Sequence, residues 1–376
     1  MQNALAAVCL ESYRMKRRNF LKTMTGLSAA CMLSGWPMQL AAKSKLQDSN
    51  WRGFNLLNYF TAGSPKAFEE EEFKWMRDWG FNFVRLPLSY WNWSKPGKYY
   101  EMDERVLADI DNAILWGQRY GIHVCINLHR APGYCVNKPE EPENIFRDES
   151  ALDGCAYQWG VFAKRYKDIS SKHLSFNLLN EVANIPDADY ERVVRRLVGE
   201  IRHISPKRVI MIDGLQWGGR PLLSIGDIPS IIQCGRGYQP MLISHYEASW
   251  VFGNKPMQMP REQLAWPLDA DGHHYDKAWL QEMLQQSWTP LLKQGGHVFI
   301  GEFGCHNRTP HQVALRWLED NLAVFEQNNW GWALWNLSGS FGIMDSGRTD
   351  VDYEDFHGHK LDRKMLELML RRNRHR

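Results

Sequence analysis

The chain has 376 residues, with 45 basic and 43 acidic side chains for a formal charge of +2, and 44% of it is hydrophobic. That balance supports a large globular core without metals or staples, and it excludes a disordered chain, a collagen and a small disulfide scaffold. With the charges so nearly matched, no basic footprint for a nucleic-acid partner is present.

The N-terminal stretch reads as an address. Lys16-Arg17-Arg18-Asn19-Phe20-Leu21-Lys22 has the form of a twin-arginine export signal, and a weakly apolar stretch follows through Met32, Leu33 and Trp36 to Leu40-Ala41-Ala42. Lys22 and Pro37 bracket that run, leaving fewer than the ~20 uninterrupted apolar residues of a spanning helix, so no stable membrane insertion is expected. Met15 stands directly before the signal, which predicts that translation starts there. Cleavage after Ala42 is the preferred processing. Lipid anchoring at Cys31 is the alternative, although Ser28 stands where a large aliphatic residue is expected. Residues 1–42 are therefore expected to be a leader and 43–376 one mature domain, periplasmic or secreted and monomeric, with 40 basic against 42 acidic side chains. Five of the seven cysteines lie beyond the leader, and Cys135 and Cys155, which flank a polar stretch, are a candidate pair in an oxidising compartment. No Cys-x-x-Cys or His-Glu-x-x-His spacing occurs, and His273-His274 and His357-Gly-His359 read as surface loops, so neither a metal nor a cofactor is expected.

Short runs rich in β-branched and aromatic residues recur along the remaining chain. They begin near Trp51, Phe81, Ile122, His173, Arg208, Ser230, His297 and Trp330. Between them lie patterns of period near 3.6, such as Val193, Val194, Leu197, Val198 and Ile201, or Leu280, Met283, Leu284 and Leu291. Ser64-Pro65 is expected to open one helix that Gly80 closes; Gly121 ends the helix from Asp103, and Gly295-Gly296 ends the one through Trp288. Eight strands, each handed on by a helix, predict an α/β fold of the (β/α)8 barrel type in a single domain. An open doubly wound sheet is the alternative, against which the absence of a Gly-rich dinucleotide turn argues. The long sixth connection, 239–276, is expected to lie over one end of the barrel.

In a barrel of this kind chemistry sits where the strands finish. The residues there are Arg85, His129-Arg130, Asn180-Glu181, Tyr238, Glu302 and Trp335. Two glutamates end apolar strands on opposite sides of the ring, a placement that costs several kcal/mol for an unpaired charge. Singly, each reads best as a salt-bridged structural acid; together, flanked by Arg, His, Asn, Tyr and Trp, they suit acid/base and nucleophilic cleavage of a glycosidic bond. Tryptophan, at 17 residues against 16 Phe and 14 Tyr, is unusually frequent. Trp91, Trp93, Trp217 and Trp250 are candidates either for stacking on sugar or for packing loops. Arg130 is expected to reach Glu140-Glu141, and Glu69-Glu70-Glu71-Glu72 to be a solvated helix face.

Six motifs in order, Arg52-Gly53-Phe54-Asn55, Val84-Arg85-Leu86-Pro87, Asn127-Leu128-His129-Arg130-Ala131-Pro132-Gly133, Leu178-Leu179-Asn180-Glu181, Gly301-Glu302-Phe303-Gly304 and Trp332-Ala333-Leu334-Trp335, resemble glycoside hydrolase family five over nearly all of residues 50–370. The resemblance implies a retaining hydrolase of β-linked polysaccharide or oligosaccharide, with Glu181 as acid/base and Glu302 as nucleophile. Asn180 would bond the sugar 2-hydroxyl, Arg85 and Tyr238 would hold Glu302 ionised, His129 would line the site and Trp335 would be the sugar platform. The family often ends its sixth strand with His-x-Tyr, whereas here Arg236-Gly237-Tyr238 puts Arg in the His place. His245-Tyr246 downstream is the competing reading of that motif, and His245 could return to fill the gap. β-1,4-Glucan is the first expected substrate, with mannan, xylan and mixed-linkage glucan as alternatives. A non-catalytic sugar-binding barrel and a transglycosylase are competing functions; an esterase is disfavoured by the lack of a Gly-x-Ser-x-Gly elbow.

Overall fold

The computed structural model describes residues 51–373, apart from Ser64 and 254–258. The leader assigned to residues 1–42 lies outside the described residues. Eight parallel strands close into one barrel: β1 (Arg52–Asn55), β2 (Phe83–Ser89), β3 (His123–Arg130), β4 (Leu174–Asn177), β5 (Val209–Asp213), β6 (Ile231–Gly237), β9 (His297–Phe303) and β10 (Gly331–Leu334). All eight expected strands are present and in ring order. A hairpin, β7 (Leu268–Ala270) with β8 (His273–Tyr275), interrupts the count inside the long sixth connection. A second hairpin, β11 (Glu354–Phe356) with β12 (His359–Leu361), follows β10.

The period of two along each strand divides the chemistry. One set of side chains, including Val84, Leu86 and Leu88, Val124, Ile126 and Leu128, and Ile210 and Ile212, belongs to the main core with the helices. The alternate set forms a separate inner cluster containing Phe83, Cys125, Met211, Cys234, Phe299 and Ala333. Two residues further along the same inward columns stand Arg85 above Phe83, Asn127 and then His129 above Cys125, Asp213 above Met211, and Arg236 above Cys234. A packed apolar plug thus fills the barrel, and the next layers toward the strand ends are polar.

The long helices that cover the ring are α1 (Glu70–Asp78), α2 (Glu104–Tyr120), α3 (Glu149–Arg165), α4 (Asp187–Ile204), α5 (Lys277–Lys293), α6 (His311–Gln327) and α7 (Arg363–Asn373). Asp103 caps α2 by accepting the Arg105 N–H, and Gly121 ends it in the left-handed region at φ 70°. The α4 stripe Val193, Val194, Leu197, Val198 and Ile201 is buried, each such side chain contributing roughly 1.5–3 kcal/mol of transfer free energy.

Three expectations need correction. First, α1 begins at Glu70 rather than at Pro65, because the preceding segment is tied down extended: Asn58 Nδ2 donates to the Ala67 carbonyl at 2.8 Å and the Phe68 N–H donates to Asp109 at 3.0 Å. The acidic run then falls in the first turn, where the helix dipole favours it, yet it is not wholly solvated. The Glu72 carboxyl is pushed up to about 7 by burial and by Glu69. Second, no long helix joins β5 to β6, only short turns at Leu215–Gly218 and Leu223–Ile225. The Trp288 indole of α5 packs there instead, so close that a Cβ at Gly235 would stand 3.0 Å from the ring and one at Gly214 2.9 Å from it. Third, Cys135 and Cys155 are both free thiols, as are Cys125, Cys234 and Cys305; Cys155 faces the core from α3.

Candidate active site

Arg85 reaches across the barrel mouth from β2. Its Nη1 donates to Glu302 Oε1 at 2.7 Å and to Asn55 Oδ1 at 3.0 Å; Nη2 donates to Asn180 Oδ1 at 2.8 Å and Nε to Asn177 Oδ1 at 2.9 Å. Strands β1, β4 and β9 are thereby tied to the one rigid guanidinium that β2 carries. Arg236 of β6 forms the second hub. Its Nε donates to Glu181 Oε1 at 3.0 Å, and Nη2 donates to Glu302 Oε1 at 3.1 Å, to Asn180 Oδ1 at 3.0 Å and to Asp213 Oδ2. A register shift between Gly235 and Arg236 sets Arg236 directly opposite Glu302 on β9, the re-aiming that an irregular strand permits near a site.

The two glutamates therefore share one guanidinium. Glu302 lies on the floor with its side chain 4% exposed, while Glu181 is 20% exposed. Tyr238 donates its hydroxyl to Glu302 Oε2 at 3.2 Å, and burial together with the charges of Glu302 and Glu181 raises that phenol well above its ordinary value. Glu302 thus accepts from two cationic donors and a phenol, the set that stabilises an anion. Burial first, and then the Glu302 charge, push the Glu181 carboxyl up to about 7, although Arg236 opposes both.

His129 lies beside Asn180. Its Nε2 is 3.3 Å from Asn180 Nδ2 and 3.3 Å from Asn137 Nδ2, so it is the acceptor of two amides. Burial, then Arg85, Arg236 and Arg130, hold it well below its usual value and neutral. Trp335 stacks on the His129 ring at 5.6 Å between centroids and 24° between planes, with Phe60 edge-on to both. The indole is half-buried, with one flank fixed by His129.

His245 does not fill the His place. It accepts or donates at 2.8 Å to its neighbour Ser244 and lies edge-on to the Tyr238 ring at 4.8 Å. Burial and His306 lower it to about 3. The reason is the long connection, which is anchored by its backbone to the loop after β9: the His306 N–H donates to the Ser244 carbonyl at 2.8 Å and Thr309 Oγ1 to the Ile243 carbonyl at 2.6 Å. Arg236 occupies the position next to Glu181 instead.

Among the tryptophans, Trp93 is buried with its indole N–H on Gln158 at 3.2 Å, and Trp91 lies under the Arg130 guanidinium at 4.1 Å. Both pack. Arg130 pairs with Glu141 at 2.5 Å. Trp217 is half-buried and Trp250 is 61% exposed beside His306 and Phe341, so these two remain open to a ligand.

Sequence reading passed over Asp213 and Tyr134. Asp213 ends an apolar strand, the same signal that singled out the glutamates, and it is fully buried. Tyr134 carries no comparable mark; its hydroxyl donates to the Glu181 carbonyl at 2.9 Å and accepts the Ala183 N–H at 3.0 Å. Among the described residues no cluster of His, Cys, Asp and Glu could hold a metal ion, and no helix is long and apolar enough to cross a membrane.

The profile of the family described as Cellulase (glycosyl hydrolase family 5) matches residues 41–340. A solved glycoside hydrolase is similar over 86% of this chain and 99% of its own, at 39% identity and a TM-score of 0.79. Endoglucanase C of Acetivibrio thermocellus is 24% identical over 305 residues, 76% of this chain and 88% of that protein. Thermotoga maritima Cel5A, solved in complex with mannotriose substrate, has the same fold at 22% identity and a TM-score of 0.68, over 85% of this chain and 98% of its own.

Proposed function

Since this chain belongs to glycosyl hydrolase family 5, the cellulase family, we propose that it cleaves β-1,4-glucan with retention, Glu302 being the nucleophile and Glu181 the acid/base. The observation that carries this reading is the single Arg236 guanidinium bonded to both carboxylates. Two acids bonded to one planar fork suit the close spacing of double displacement, about 5–5.5 Å, better than the ~6.5–9.5 Å that leaves room for an attacking water between acid and base.

Glu302, held by Arg85, Arg236 and Tyr238, attacks the anomeric carbon as the glycosidic C–O bond breaks. Glu181 gives its proton to the departing oxygen. Glu302 is then esterified and uncharged, so the repulsion that kept Glu181 protonated is gone while Arg236 remains. Glu181, now ionised, takes a proton from a water whose oxygen bonds to the anomeric carbon as the ester bond to Glu302 breaks, which restores the Glu302 carboxylate and the Glu181 acid and releases the sugar with its original configuration. Asn180, oriented by both arginines, keeps its Nδ2 for the sugar 2-hydroxyl or for His129, and Trp335 stacks under the ring.

Purified mature protein assayed against β-1,4-glucan, mixed-linkage glucan, xylan and β-mannan should release short oligosaccharides fastest from β-1,4-glucan. A preference for β-mannan, which the mannotriose complex of the Thermotoga neighbour recommends as the second reading, would replace the substrate while keeping the mechanism. No release from any of the four would remove the hydrolase reading.

The twin-arginine leader is proposed to deliver this enzyme, folded, across the cytoplasmic membrane to the periplasm or beyond. Arg17→Lys combined with Arg18→Lys should leave the precursor in the cytoplasmic fraction; unchanged export would assign delivery to another route.

A further inference from the structure

Glu181 occupies a backbone conformation that side chains other than glycine rarely enter, with φ at 47°. It is clamped there from both sides. The Glu181 N–H donates to Asp213 Oδ2 at 2.7 Å, and the Glu181 carbonyl accepts from the Tyr134 hydroxyl at 2.9 Å. The same Asp213 oxygen accepts from Arg236 Nη2, and Asp213 Oδ1 accepts from Asn177 Nδ2 at 3.0 Å. Asp213 has no exposed surface, so a ligand outside the barrel cannot reach it.

Charge counting gives this arrangement a second consequence. Glu181, Glu302 and Asp213 are three carboxyls, and Arg85 and Arg236 are the two guanidiniums bonded among them. Full ionisation leaves one surplus negative charge in a largely buried layer, and one proton removes it. The donors decide where that proton resides. Among the described residues, Glu302 accepts from Arg85, Arg236 and Tyr238; Asp213 accepts from Arg236, the Glu181 N–H and Asn177; the Glu181 carboxyl accepts from Arg236 Nε alone. The carboxyl with the fewest donors is the one that keeps its proton.

We propose that Asp213 is a positioning residue that holds the Glu181 backbone in place and, by offsetting Arg236, ensures that the acid begins each turnover with its proton. Resting on the acid/base role assigned to Glu181, this explains how a guanidinium can be bonded to a general acid without stripping it. Without the Asp213 charge the two arginines would balance the two glutamates, and Glu181 would hold its proton less firmly. Among the described residues, the groups that act most strongly on Glu181 are Glu302 of β9, Arg236 of β6 and Asp213 of β5, with Tyr134 and Cys135 after β3 and Tyr238 after β6; Arg85 of β2 acts through its bond to Glu302. Of those acting directly, only Asp213 and Arg236 are charged and outside the bond-making pair.

The test is a carbon-13 titration of glutamate side-chain carboxyls in the ligand-free protein, with the Glu181 signal assigned by its absence in Glu181→Gln. Asp213→Asn should lower the Glu181 midpoint by about one pH unit or more, and Arg236→Gln should raise it by a similar amount. The double variant should return close to the unmodified protein. The falling alkaline limb of kcat/KM should move in the same directions. A merely structural loosening admits water in both variants and shifts both midpoints the same way; that outcome, or an unmoved midpoint in Asp213→Asn, overturns the proposal. If Asp213→Asn does not fold, Arg236→Gln decides alone, and anything other than an upward shift counts against it. Because the titration needs no substrate, its failure is separate from a failure to turn over glycans.

Discussion

Glu302→Gln should retain the fold and lose on the order of 10⁴-fold or more in kcat on β-1,4-glucan. The substitution keeps the volume, and the amide oxygen can still accept from Arg85 at the position of Oε1, so circular dichroism and thermal midpoint should change little. What disappears is the anion that forms the covalent bond. Glu302→Gly makes the sharper experiment, since it opens space beside Arg85 and Arg236, whose charges would attract a small anion. Added azide should then restore cleavage of an activated aryl β-glycoside and yield the α-glycosyl azide, because the anion attacks from the side the carboxylate occupied. Recovery of the β-glycosyl azide would mean that a covalent intermediate still forms elsewhere, and Glu302 would not be the nucleophile.

The barrel was legible because its eight strands are short, apolar and, except between β5 and β6, separated by long helices. Asp103 and Gly121 mark α2 in sequence as clearly as they do in space. The fifth link was not legible as helix-free, since nothing in residues 214–230 reveals that the indole of Trp288, 74 residues after Gly214, will pack on Gly214 and Gly235. The same limit applied to the site. Residues at the ends of strands could be found one strand at a time, which is how Arg85, Glu181, Tyr238 and Glu302 stood out. Which of them share a donor depends on ring closure and on a one-residue register shift before Arg236, and neither is encoded locally. Arg236 looked like the loss of a histidine; in space it is the bond between the two acids. His245 looked like a replacement, but the anchoring of its connection to the loop after β9 keeps it bonded to Ser244. Tyr134 acts on Glu181 from 47 residues away through a backbone carbonyl, a relation that no side-chain motif announces.

Glu181→Gln should show a loss that depends on the leaving group. On unactivated β-glucan the departing oxygen needs a proton, and removing a positioned general acid should cost about 10²–10⁴-fold. On an aryl glycoside whose phenol leaves as a stable anion the first step is spared, while water attack on the glycosyl-enzyme loses its base. A burst of phenol followed by a slow steady state is the kinetic consequence. The pH dependence carries the same information with a definite sign. In the unmodified protein the Glu181 carboxyl titrates at about 7, so the proton required for leaving-group departure is held below that pH and lost above it. Hence kcat/KM on β-glucan should fall as pH rises through about 7. Glu181→Gln cannot titrate there, and its residual rate should be flat across that range. An alkaline limb that survives the substitution unchanged would belong to another group, and Glu181 would then be a binding residue rather than the acid.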